Sequence, residues 1–593
     1  MNSRNALLIV SFIWVVLGGL YYPKWKMAWT EAAISFDVSG YYHYLPAIFI
    51  YGDLKQQAWM NEINKQYLPS TAYDQAFVHA NSGNRINKYP IGQAILYSPF
   101  FFAAHLYARV TNAYPADGYS RPYQFAIWVG GLAVSILGLF LLRRILITYV
   151  EDSIAALTLL TLGIGTNWME YASISNGMNH TWLFALLCAL VLLTIRFYRR
   201  QDWLSSVGIG LCIGMAGLVR PTEIIWVLVP LLWGFDSFQK RISFLMDDWK
   251  KILVALLCTG GIMLIQPLYW KYISGEWLVY TYGEQRFDWL HPKVWTGLLS
   301  VNTGWWIYSP IMFLPLFGFA KLYRTQRDIF WSMAVTCFLS LYITFAWPYW
   351  QSGGGLGQRN LIQLYPLLSI PLAMTIKKMM RTNTGRWIWY LMFSLNIYYS
   401  VWWVHQAHRG GFFQPGQMTW AYFQKIVGKV HPDPDAVKLM DTHEWYRGIP
   451  NTMPPVFTED FEDDTAFCVT AWPNGGKAAC LNQEQQFLGP FEIPVIHSCG
   501  NWLIAEADFI IQSREWDAWK YTQWIVQFHR EKEVIKTNQI RIQRLQPVDR
   551  AIIHLDFAVK LPKEAFTKCT MTFWNAESIH TVLVDNVRLT CVK

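Results

Sequence analysis

Charged residues are scarce in this chain of 593 residues, at 15% of the composition against about a quarter in a typical soluble protein. The deficit lies in residues 6–404, which hold long uncharged runs such as "YQFAIWVGGLAVSILGLFLL" (123–142). A helix needs roughly 20 apolar residues to cross a bilayer. The scarcity of charge therefore excludes a soluble globular chain and predicts a polytopic α-helical membrane protein.

A basic stripe interleaved with aromatic residues is also lacking, although the formal net charge is +9. The lysines and arginines cluster in short loops between apolar runs, where the positive-inside rule places cytoplasmic charge. This distribution argues against nucleic acid as a partner and in favour of membrane lipids.

The loop charges orient about 11 predicted spans, with the basic clusters in the cytoplasm. The spans are 6–22, 123–142, 154–169, 178–197, 203–219, 221–236, 251–272, 308–323, 329–347, 361–378 and 387–404. The outer side then receives 23–122, 170–177, 273–307, 348–360 and everything after 404. Candidate functional residues are therefore sought on the outer face.

One apolar segment breaks this alternation. "YPIGQAILYSPFFFAAHLYA" (89–108) is apolar enough to cross, but a crossing would put Arg143 and Arg144 outside. We therefore expect the segment to lie at the outer surface or to re-enter the membrane. The alternative is a genuine span with a local violation of the charge rule.

The composition changes again near residue 450. "IIHLDFAVKL" (552–561) and "DNVRLTCV" (585–592) alternate apolar and polar residues, which indicates half-buried strands. We predict an outward-facing soluble β-sandwich, jelly-roll-like, over 450–593. A helical or irregular connector, 405–449, would join it to the transmembrane domain, 1–404.

Paired CxxC units are absent from the tail, which argues against a zinc site there. An outward tail permits disulfides, although their connectivity cannot be derived from sequence. We expect bonds between Cys468 and Cys480 and between Cys569 and Cys591, with Cys499 free.

The first outer segment, "SFDVSGYYHYLPA" (35–47), places Asp37 before Tyr41, Tyr42 and His43. An ionised aspartate at the membrane surface is suited to accept a proton from a hydroxyl group. The alternative is a helix cap or turn after the first span.

Outer cations come from several motifs. Lys88 lies in "NRINKYPIGQ", Arg359 follows the flexible "QSGGG", and "YGEQRFDWLHP" carries Glu284 and Arg286. Arginine and lysine can both stabilise a departing phosphate. The alternative for each is anchoring at the interface by snorkelling.

Two polar motifs lie at predicted span ends: "SNGMNHTW", with His180, and "GLVRPTE", with Arg220 and Glu223. Charge at membrane depth is costly and by default suggests function. A local Arg220–Glu223 ion pair is the alternative. His180 has no second ligand at a suitable spacing, which disfavours a metal role.

In their order along the chain, these motifs resemble those of the GT-C superfamily of membrane glycosyltransferases. "SFDVSGYYHYLPA" resembles its acidic first-loop motif, and "KYPIG" its Lys-Pro-Pro element, with Tyr89 replacing the middle proline. "GLVRPTE" resembles its Gly-Leu…Lys/Arg-x-Pro/Thr hairpin, and "GGGLGQRNLIQLYPLL" a Gly-rich stretch of bacterial members. Relatives include protein O-mannosyltransferases and lipid A aminoarabinose transferases. The resemblance covers roughly residues 1–404.

The resemblance implies an inverting transfer from a polyprenyl-phosphate sugar donor to a hydroxyl group of a lipid, glycan or protein. It makes Asp37 the catalytic base. Its candidate substrate-binding residues, together with those from the outer loops, are Lys88, Arg220, Arg359, Tyr41, Tyr42, His43, Glu284, Arg286 and His180. The expected location is a bacterial inner membrane, with the catalytic face and the C-terminal domain in the periplasm.

The resemblance leaves cofactors open. Family members often have a second acid in this loop, but Glu31 is six residues from Asp37 and forms no adjacent pair. No cofactor is certain, and a divalent cation stays an open question. The tail is similar to sugar-binding sandwich modules, and its "REWDAWKYTQW" (514–524) would either stack on sugar or pack in the core.

Two rival functions remain. A transporter or flippase of lipid-linked sugars usually buries ionisable groups in mid-membrane and shows repeated halves, and this sequence has neither feature. A polymerase or ligase that uses diphosphate-linked oligosaccharides is compatible with the same motifs.

Overall fold

A computed structural model of the chain divides into two compact units, Met1–Gly416 and Gln417–Lys593. The structure describes residues 1–592 apart from the following gaps: 71–74, 235–237, 432–433, 443, 445, 447–453, 463–467, 495–499, 514–519, 532, 546–548 and 577. The first unit ends twelve residues beyond the boundary predicted at 404.

The first unit is helical. Its α-helices are α1 (Ser3–Val16), α2 (Phe36–Tyr42), α3 (Tyr44–Phe49), α4 (Met60–Tyr67), α5 (Gly92–Thr111), α6 (Arg121–Tyr149), α7 (Asp152–Ile164), α8 (Trp168–Ser173), α9 (Asn179–Arg200), α10 (Trp203–Val219), α11 (Leu228–Leu232), α12 (Phe238–Asp247), α13 (Trp249–Met263), α14 (Ile265–Ser274), α15 (Val294–Leu299), α16 (Trp305–Tyr308), α17 (Pro315–Thr325), α18 (Arg327–Ala346), α19 (Tyr365–Met379) and α20 (Asn383–His405). A hairpin of two short strands, β1 (Ala76–Val78) and β2 (Arg85–Asn87), lies between α4 and α5.

Five segments of the described chain are long and apolar enough to cross a membrane: Ser3–Lys26, Arg121–Tyr149, Asn179–Arg200, Trp249–Ser274 and Arg327–Ala346. Three shorter apolar helices accompany them: Asp152–Ile164, Trp203–Val219 and Pro221–Leu232. The first unit is thus a helical, apolar body, as the composition predicted, and the count of about 11 spans stays a prediction.

Small residues set the packing of neighbouring helices. Gly210 and Gly214 of α10 form a Gly-x-x-x-Gly pair one turn apart. A Cβ atom at Gly210 would clash with the carbonyl oxygen of Ala255 on α13, and one at Gly214 would lie 2.9 Å from that of Thr259. The two backbones can therefore approach closely, as is common for helices within membranes.

The ambiguous apolar segment forms most of α5, whose partners come from predicted outer ends. Tyr97 donates a hydrogen bond to the carbonyl oxygen of Gly177. His105 Nδ1 lies 2.6 Å from the hydroxyl oxygen of Tyr123, near the start of α6. These contacts join α5 to the residue before Met178 and to the start of α6, and its placement at the outer surface stays a prediction.

The described residues of the second unit form two antiparallel sheets, two short α-helices and one 3₁₀ helix, Pro434–Met440. Its strands are β3 (Phe457–Glu459), β4 (Val469–Ala471), β5 (Lys477–Leu481), β6 (Phe487–Ile493), β7 (Trp502–Ile511), β8 (Gln523–Arg530), β9 (Glu533–Arg541), β10 (Ile553–Lys560), β11 (Lys568–Trp574) and β12 (Val582–Val592). The helices are α21 (Trp420–Ile426) and α22 (Ile542–Leu545). One sheet has the order β10-β7-β12-β5-β4, with β3 also paired to β12, and the other has the order β6-β11-β8-β9.

The two sheets share one hydrophobic core. The ring of Phe509 on β7 lies 5.5 Å from that of Trp524 on β8, in the opposite sheet. On β10, Phe557 and Val559 are buried in this core while His554 points to solvent, as the alternation predicted. The tail is therefore a β-rich sandwich, and its jelly-roll type stays a prediction. Trp524, which could have been a sugar platform, is a core residue, and the start of its Trp-rich segment lies outside the described residues.

The cysteine expectations need correction. Cys591 is disulfide-bonded whereas Cys569 is free, so the predicted bond between them is wrong. The expectation that Cys499 is free lies outside the described residues. Cys468 and Cys480 are also free in the structure, so the second predicted bond is not formed. Their sulfur atoms nevertheless lie 2.9 Å apart, because Cys468 is next to β4 and faces β5. Residue spacing identified these neighbours across a hairpin but did not predict the bonding of Cys591.

Candidate active site

Asp37 lies in an ion pair with one of the predicted cations. Arg359 Nη2 donates to Asp37 Oδ2 at 2.6 Å, and the Tyr89 hydroxyl donates to Asp37 Oδ1 at 2.7 Å. The side chain of Asp37 keeps 26% of its exposure and that of Arg359 keeps 15%. The carboxylate is thus held by two donors while one side of it remains open to solvent.

Local backbone geometry explains how the pair forms. Asp37 occupies the first turn of α2, directly after Phe36, whose φ of 45° turns the chain into the helix. Arg359 begins a 3₁₀ helix, Arg359–Leu364, directly after a glycine-rich loop. A Cβ atom at Gly355 would clash with the hydroxyl group of Tyr171 and would lie 3.2 Å from Cδ of Arg359. Glycine at this position therefore makes room for the guanidinium to approach Asp37.

Tyrosines surround the carboxylate. Tyr41 is one turn beyond Asp37 on α2, and its ring lies 4.6 Å from that of Tyr89. Burial, with Asp37 beside it, holds the pKa of Tyr89 well above its usual value, so Tyr89 acts only as a hydrogen-bond donor. The pKa of Tyr41 is raised in the same way, by burial and then by Asp37.

Tyr42 and His43 have different surroundings. The Tyr42 hydroxyl donates to the carbonyl oxygen of Gly118 at 2.6 Å, and the side chain is fully buried. His43 is also buried, with its ring 4.9 Å from that of Trp59. Burial lowers the pKa of His43 to about 4, so the ring is neutral. Of the three aromatic candidates in this motif, only Tyr41 lies beside the carboxylate, whereas Tyr42 and His43 pack against Gly118 and Trp59.

A second set of polar side chains is connected to Arg359 through the next residue in the chain, Asn360. Arg220 Nη1 donates to Asn360 Oδ1 at 2.9 Å, and Arg220 Nε lies 3.9 Å from Glu223 Oε1. Gln363 Nε2 donates to the same Glu223 oxygen at 2.8 Å, and Gln363 Oε1 lies 3.4 Å from Nδ1 of His180. The local ion pair of Arg220 with Glu223 is thus present, and the guanidinium also bonds Asn360, the residue after Arg359.

The remaining predicted residues are placed less centrally. Lys88 Nζ lies 5.9 Å from the ring centroid of Tyr89, the residue that contacts Asp37. Glu284 is exposed on the loop after α14, and Arg286 lies over the ring of Tyr280 at 4.0 Å on the same loop. Lys88 is therefore a neighbour of the site, whereas Glu284 and Arg286 are surface groups.

A buried acid that the sequence did not single out lies in a separate cluster. His408 Nε2 lies 2.6 Å from Glu170 Oε2, and the Ser175 hydroxyl donates to Glu170 Oε1 at 2.7 Å. Burial opposes ionisation of Glu170, but His408 and Ser175 outweigh it and lower the pKa of the carboxyl. Tyr22 packs its ring 4.5 Å from His408 and donates to Glu31 at 2.7 Å. Glu31 thus belongs to this cluster.

Sequence reasoning also missed Tyr89 and Asn360 as functional candidates. Each directly adjoins a residue that was identified, since Tyr89 follows Lys88 and Asn360 follows Arg359. The one available signal for Tyr89 was that it departs from the proline of the resembled motif. No group of three or more metal-ligating side chains occurs among the residues that the structure describes.

Comparisons with known proteins give low similarity. No protein-family model and no curated protein matches the chain. The oligosaccharyltransferase of Archaeoglobus fulgidus in the apo form has a TM-score of 0.43 at 12% identity, over 74% of this chain and 59% of that one. Arabinosyltransferase EmbB from Mycobacterium smegmatis has a TM-score of 0.36 at 10% identity, over 99% of this chain and 64% of that one. The chain thus spans about three fifths of the length of each.

A third solved structure is similar to a shorter part. A family 16 carbohydrate-binding module has a TM-score of 0.16 at 19% identity, over 21% of this chain and 88% of the module. As the resemblance in the sequence predicted, solved glycosyltransferases are among the structures similar to this chain. At these scores the function must be inferred from the side chains of the site.

Proposed function

We propose that the chain is a membrane glycosyltransferase that moves a sugar from a polyprenyl-phosphate carrier to a hydroxyl group on the outer face of the membrane, with inversion at the anomeric carbon. The observation that carries this proposal is the Asp37–Arg359 ion pair. It brings a candidate proton acceptor and a candidate phosphate ligand together from motifs that are 322 residues apart.

The chemistry assigns one role to each partner. Asp37 accepts the proton of the acceptor hydroxyl as its oxygen forms a bond to the anomeric carbon. The bond from that carbon to the carrier phosphate breaks, and its electron pair leaves with the phosphate. Arg359 stabilises the departing charge, with Arg220 and Lys88 nearby. No general acid is needed, because a phosphate leaves readily once its charge is stabilised.

Two further aspects complete the proposal. We place the site in the periplasm of a bacterial inner membrane, because the basic loops orient Asp37 outward. For the tail we propose glycan binding, supported by a parallel stack of Phe487 and Trp574 with ring centroids 5.9 Å apart. Phe487 is 51% exposed, so this stack offers an accessible aromatic face.

The decisive experiment uses the full chain in lipid nanodiscs with a radiolabelled polyprenyl-phosphate sugar and a mixture of envelope lipids and glycans as acceptors. We expect release of free polyprenyl phosphate together with transfer of label to an acceptor, and loss of both in Asp37→Asn. Movement of intact labelled donor across a vesicle membrane without cleavage would instead indicate a flippase. Cleavage restricted to diphosphate-linked oligosaccharides would indicate the polymerase or ligase.

A further inference from the structure

Exposed apolar side chains are concentrated in the segment 276–299, which follows α14 and ends with α15. Leu278 is 77% exposed, Leu290 is 85% exposed and Trp295 is 73% exposed. Soluble surfaces usually expose such residues singly, whereas a larger apolar patch marks contact with another protein or with a membrane. Four further large side chains of the segment are exposed: Trp277, Tyr280, Trp289 and Leu299.

The segment is bonded to the last turn of α18, which is one of the helices long and apolar enough to cross a membrane. The Asp288 amide donates to the carbonyl oxygen of Ala346 at 2.8 Å. The Lys293 amide donates to that of Phe345 at 2.7 Å. The last four carbonyl groups of a helix have no partner within it, so these bonds satisfy two of them. A Cβ atom at Gly297 would clash with the Phe345 ring, so α15 packs closely on the same helix end.

The other end of the segment follows a second apolar segment, Trp249–Ser274. Gly275, with a φ of 82°, ends α14, and Lys271 Nζ lies 5.8 Å from the ring centroid of Trp277. Two candidate spans therefore end beside these residues. Tryptophan and tyrosine are enriched where spans meet the interface between membrane and water. The position of the segment thus indicates lipid as the partner of its exposed side chains.

The charge of the segment supports an apolar partner. It carries three acidic side chains and two basic ones, which gives a net charge of −1. A segment that bound nucleic acid or anionic headgroups by charge would need an excess of lysine and arginine. Attraction must therefore come from the burial of apolar surface. The charged side chains are Glu276, Glu284, Arg286, Asp288 and Lys293.

The helix α15 shows this apolar surface in its simplest form. Trp295 and Leu299 are four residues apart, so they share a face, and both are exposed. Gly297 and Leu298 are buried on the opposite side. We propose that the exposed apolar side chains of 276–299 insert into the membrane at the boundary between headgroups and acyl chains, on the side where α14 and α18 end.

The same segment also reaches the candidate active site. The Thr281 hydroxyl donates to the carbonyl oxygen of Lys88 at 2.8 Å. Burial raises the pKa of Tyr282 to about 12, with Arg220 opposing the rise and Asp37 adding to it, so Tyr282 lies within electrostatic reach of both groups. Insertion would therefore hold the site near the level of a lipid-borne phosphate. That consequence rests on the proposed function, whereas the insertion itself does not.

The test measures the surroundings of single positions in the full chain, in nanodiscs of phosphatidylethanolamine and phosphatidylglycerol. An environment-sensitive fluorophore is attached to Leu290→Cys and, in a second variant, to Leu278→Cys. The unsubstituted chain, labelled in parallel, gives the background of the native cysteines. The matched control is Asn61→Cys, at an exposed polar position of α4.

We expect blue-shifted emission at positions 278 and 290 and water-like emission at position 61. Lipids that carry a spin label high on the acyl chain should quench the first two probes more strongly than lipids labelled near the chain end, because interfacial segments insert by about 5–10 Å. The probe at position 61 should be quenched by neither lipid.

Three results would overturn the inference. Water-like emission at both positions of the segment would show that its surface stays in water. Blue-shifted emission without quenching by lipid would assign the surface to a protein contact, such as a second copy of the chain. Equal quenching at position 61 would show only general closeness to the bilayer. The measurement uses no donor, so insertion without sugar transfer would reject the proposed function alone, and transfer without insertion would reject this inference alone.

Discussion

Arg359 and Asp37, 322 residues apart in the chain, form an ion pair of 2.6 Å within the helical unit. Each residue compensates the charge of the other in a partly buried setting, where an unpaired charge is costly. A donor phosphate offers Arg359 an alternative anion. Binding of the donor would therefore draw the guanidinium from Asp37 and free the carboxylate to accept a proton, which couples the two halves of the proposed reaction.

The first prediction concerns the proposed base. Asp37→Asn keeps the shape of the side chain but cannot accept the proton, so we expect kcat to fall by about 10²- to 10⁴-fold. The matched control is Glu31→Gln, an acid of the same predicted outer region, 23–122, that accepts a hydrogen bond from Tyr22. Release of polyprenyl phosphate measures both variants. Turnover of Asp37→Asn at the wild-type rate would remove Asp37 from the mechanism.

The second prediction separates the site cation from a surface cation. We expect Arg359→Ala to weaken binding of bare polyprenyl phosphate by about 10- to 100-fold, since hydrogen bonds to charged groups contribute about 1.5–3 kcal/mol. Arg286→Ala should leave the affinity unchanged, because Arg286 lies over Tyr280 on an exposed loop. Equal losses in the two variants would indicate general attraction by surface charge instead of a specific phosphate ligand.

The third prediction concerns Tyr89, which donates to Asp37 Oδ1 at 2.7 Å. Tyr89→Phe removes this donor and leaves the ring packed on Tyr41. We expect kcat to fall about tenfold, because the carboxylate loses a positioning contact, while the KM for the donor changes little. A large rise in KM with unchanged kcat would instead place Tyr89 in donor binding.

Much of the architecture follows from patterns in the sequence. The uncharged runs predicted the helical unit. The period-two alternation predicted the strands, because a strand that buries one face carries an apolar residue at every second position. The outer-loop motif also indicated Asp37, whose neighbour Tyr41 lies one turn away on the same helix.

The rest depends on contacts between distant segments. Consecutive residues at a short helix point in different directions, but sequence analysis did not distinguish Tyr41, Tyr42 and His43. It gave no means to pair Asp37 with Arg359, or to see that Asn360 extends the site, since these contacts exist only after the loops fold. The same limit explains the wrong cysteine pairing.

The fourth prediction is a pH dependence of stability that comes from His43. The pKa of the folded ring is lowered to about 4 by burial, with a smaller contribution from Arg85, while an exposed histidine titrates near 6.5. Between these values the unfolded chain binds a proton that the folded chain does not, so stability falls as the pH falls from about 6.5 to 4, by up to about 3 kcal/mol.

We expect His43→Phe to flatten this part of the pH profile of the unfolding midpoint in detergent, measured by differential scanning fluorimetry. His291→Gln, on an exposed loop, is the control and should follow the wild type. If His43→Phe loses stability on acidification as steeply as the wild type, other groups are responsible for the slope.

The last prediction concerns the topology of α5. Gly92 packs against the backbone of Leu218, at the predicted outer end of α10. The loop after α5 contacts α4, in the predicted outer region 23–122, through the 2.5 Å bond from Tyr67 to Asp117. An impermeant maleimide should therefore label Ala113→Cys in right-side-out vesicles. Thr384→Cys, in a predicted cytoplasmic turn, should react only after permeabilisation. Protection of residue 113 would mean that α5 crosses the membrane, and the loops that follow would then exchange sides.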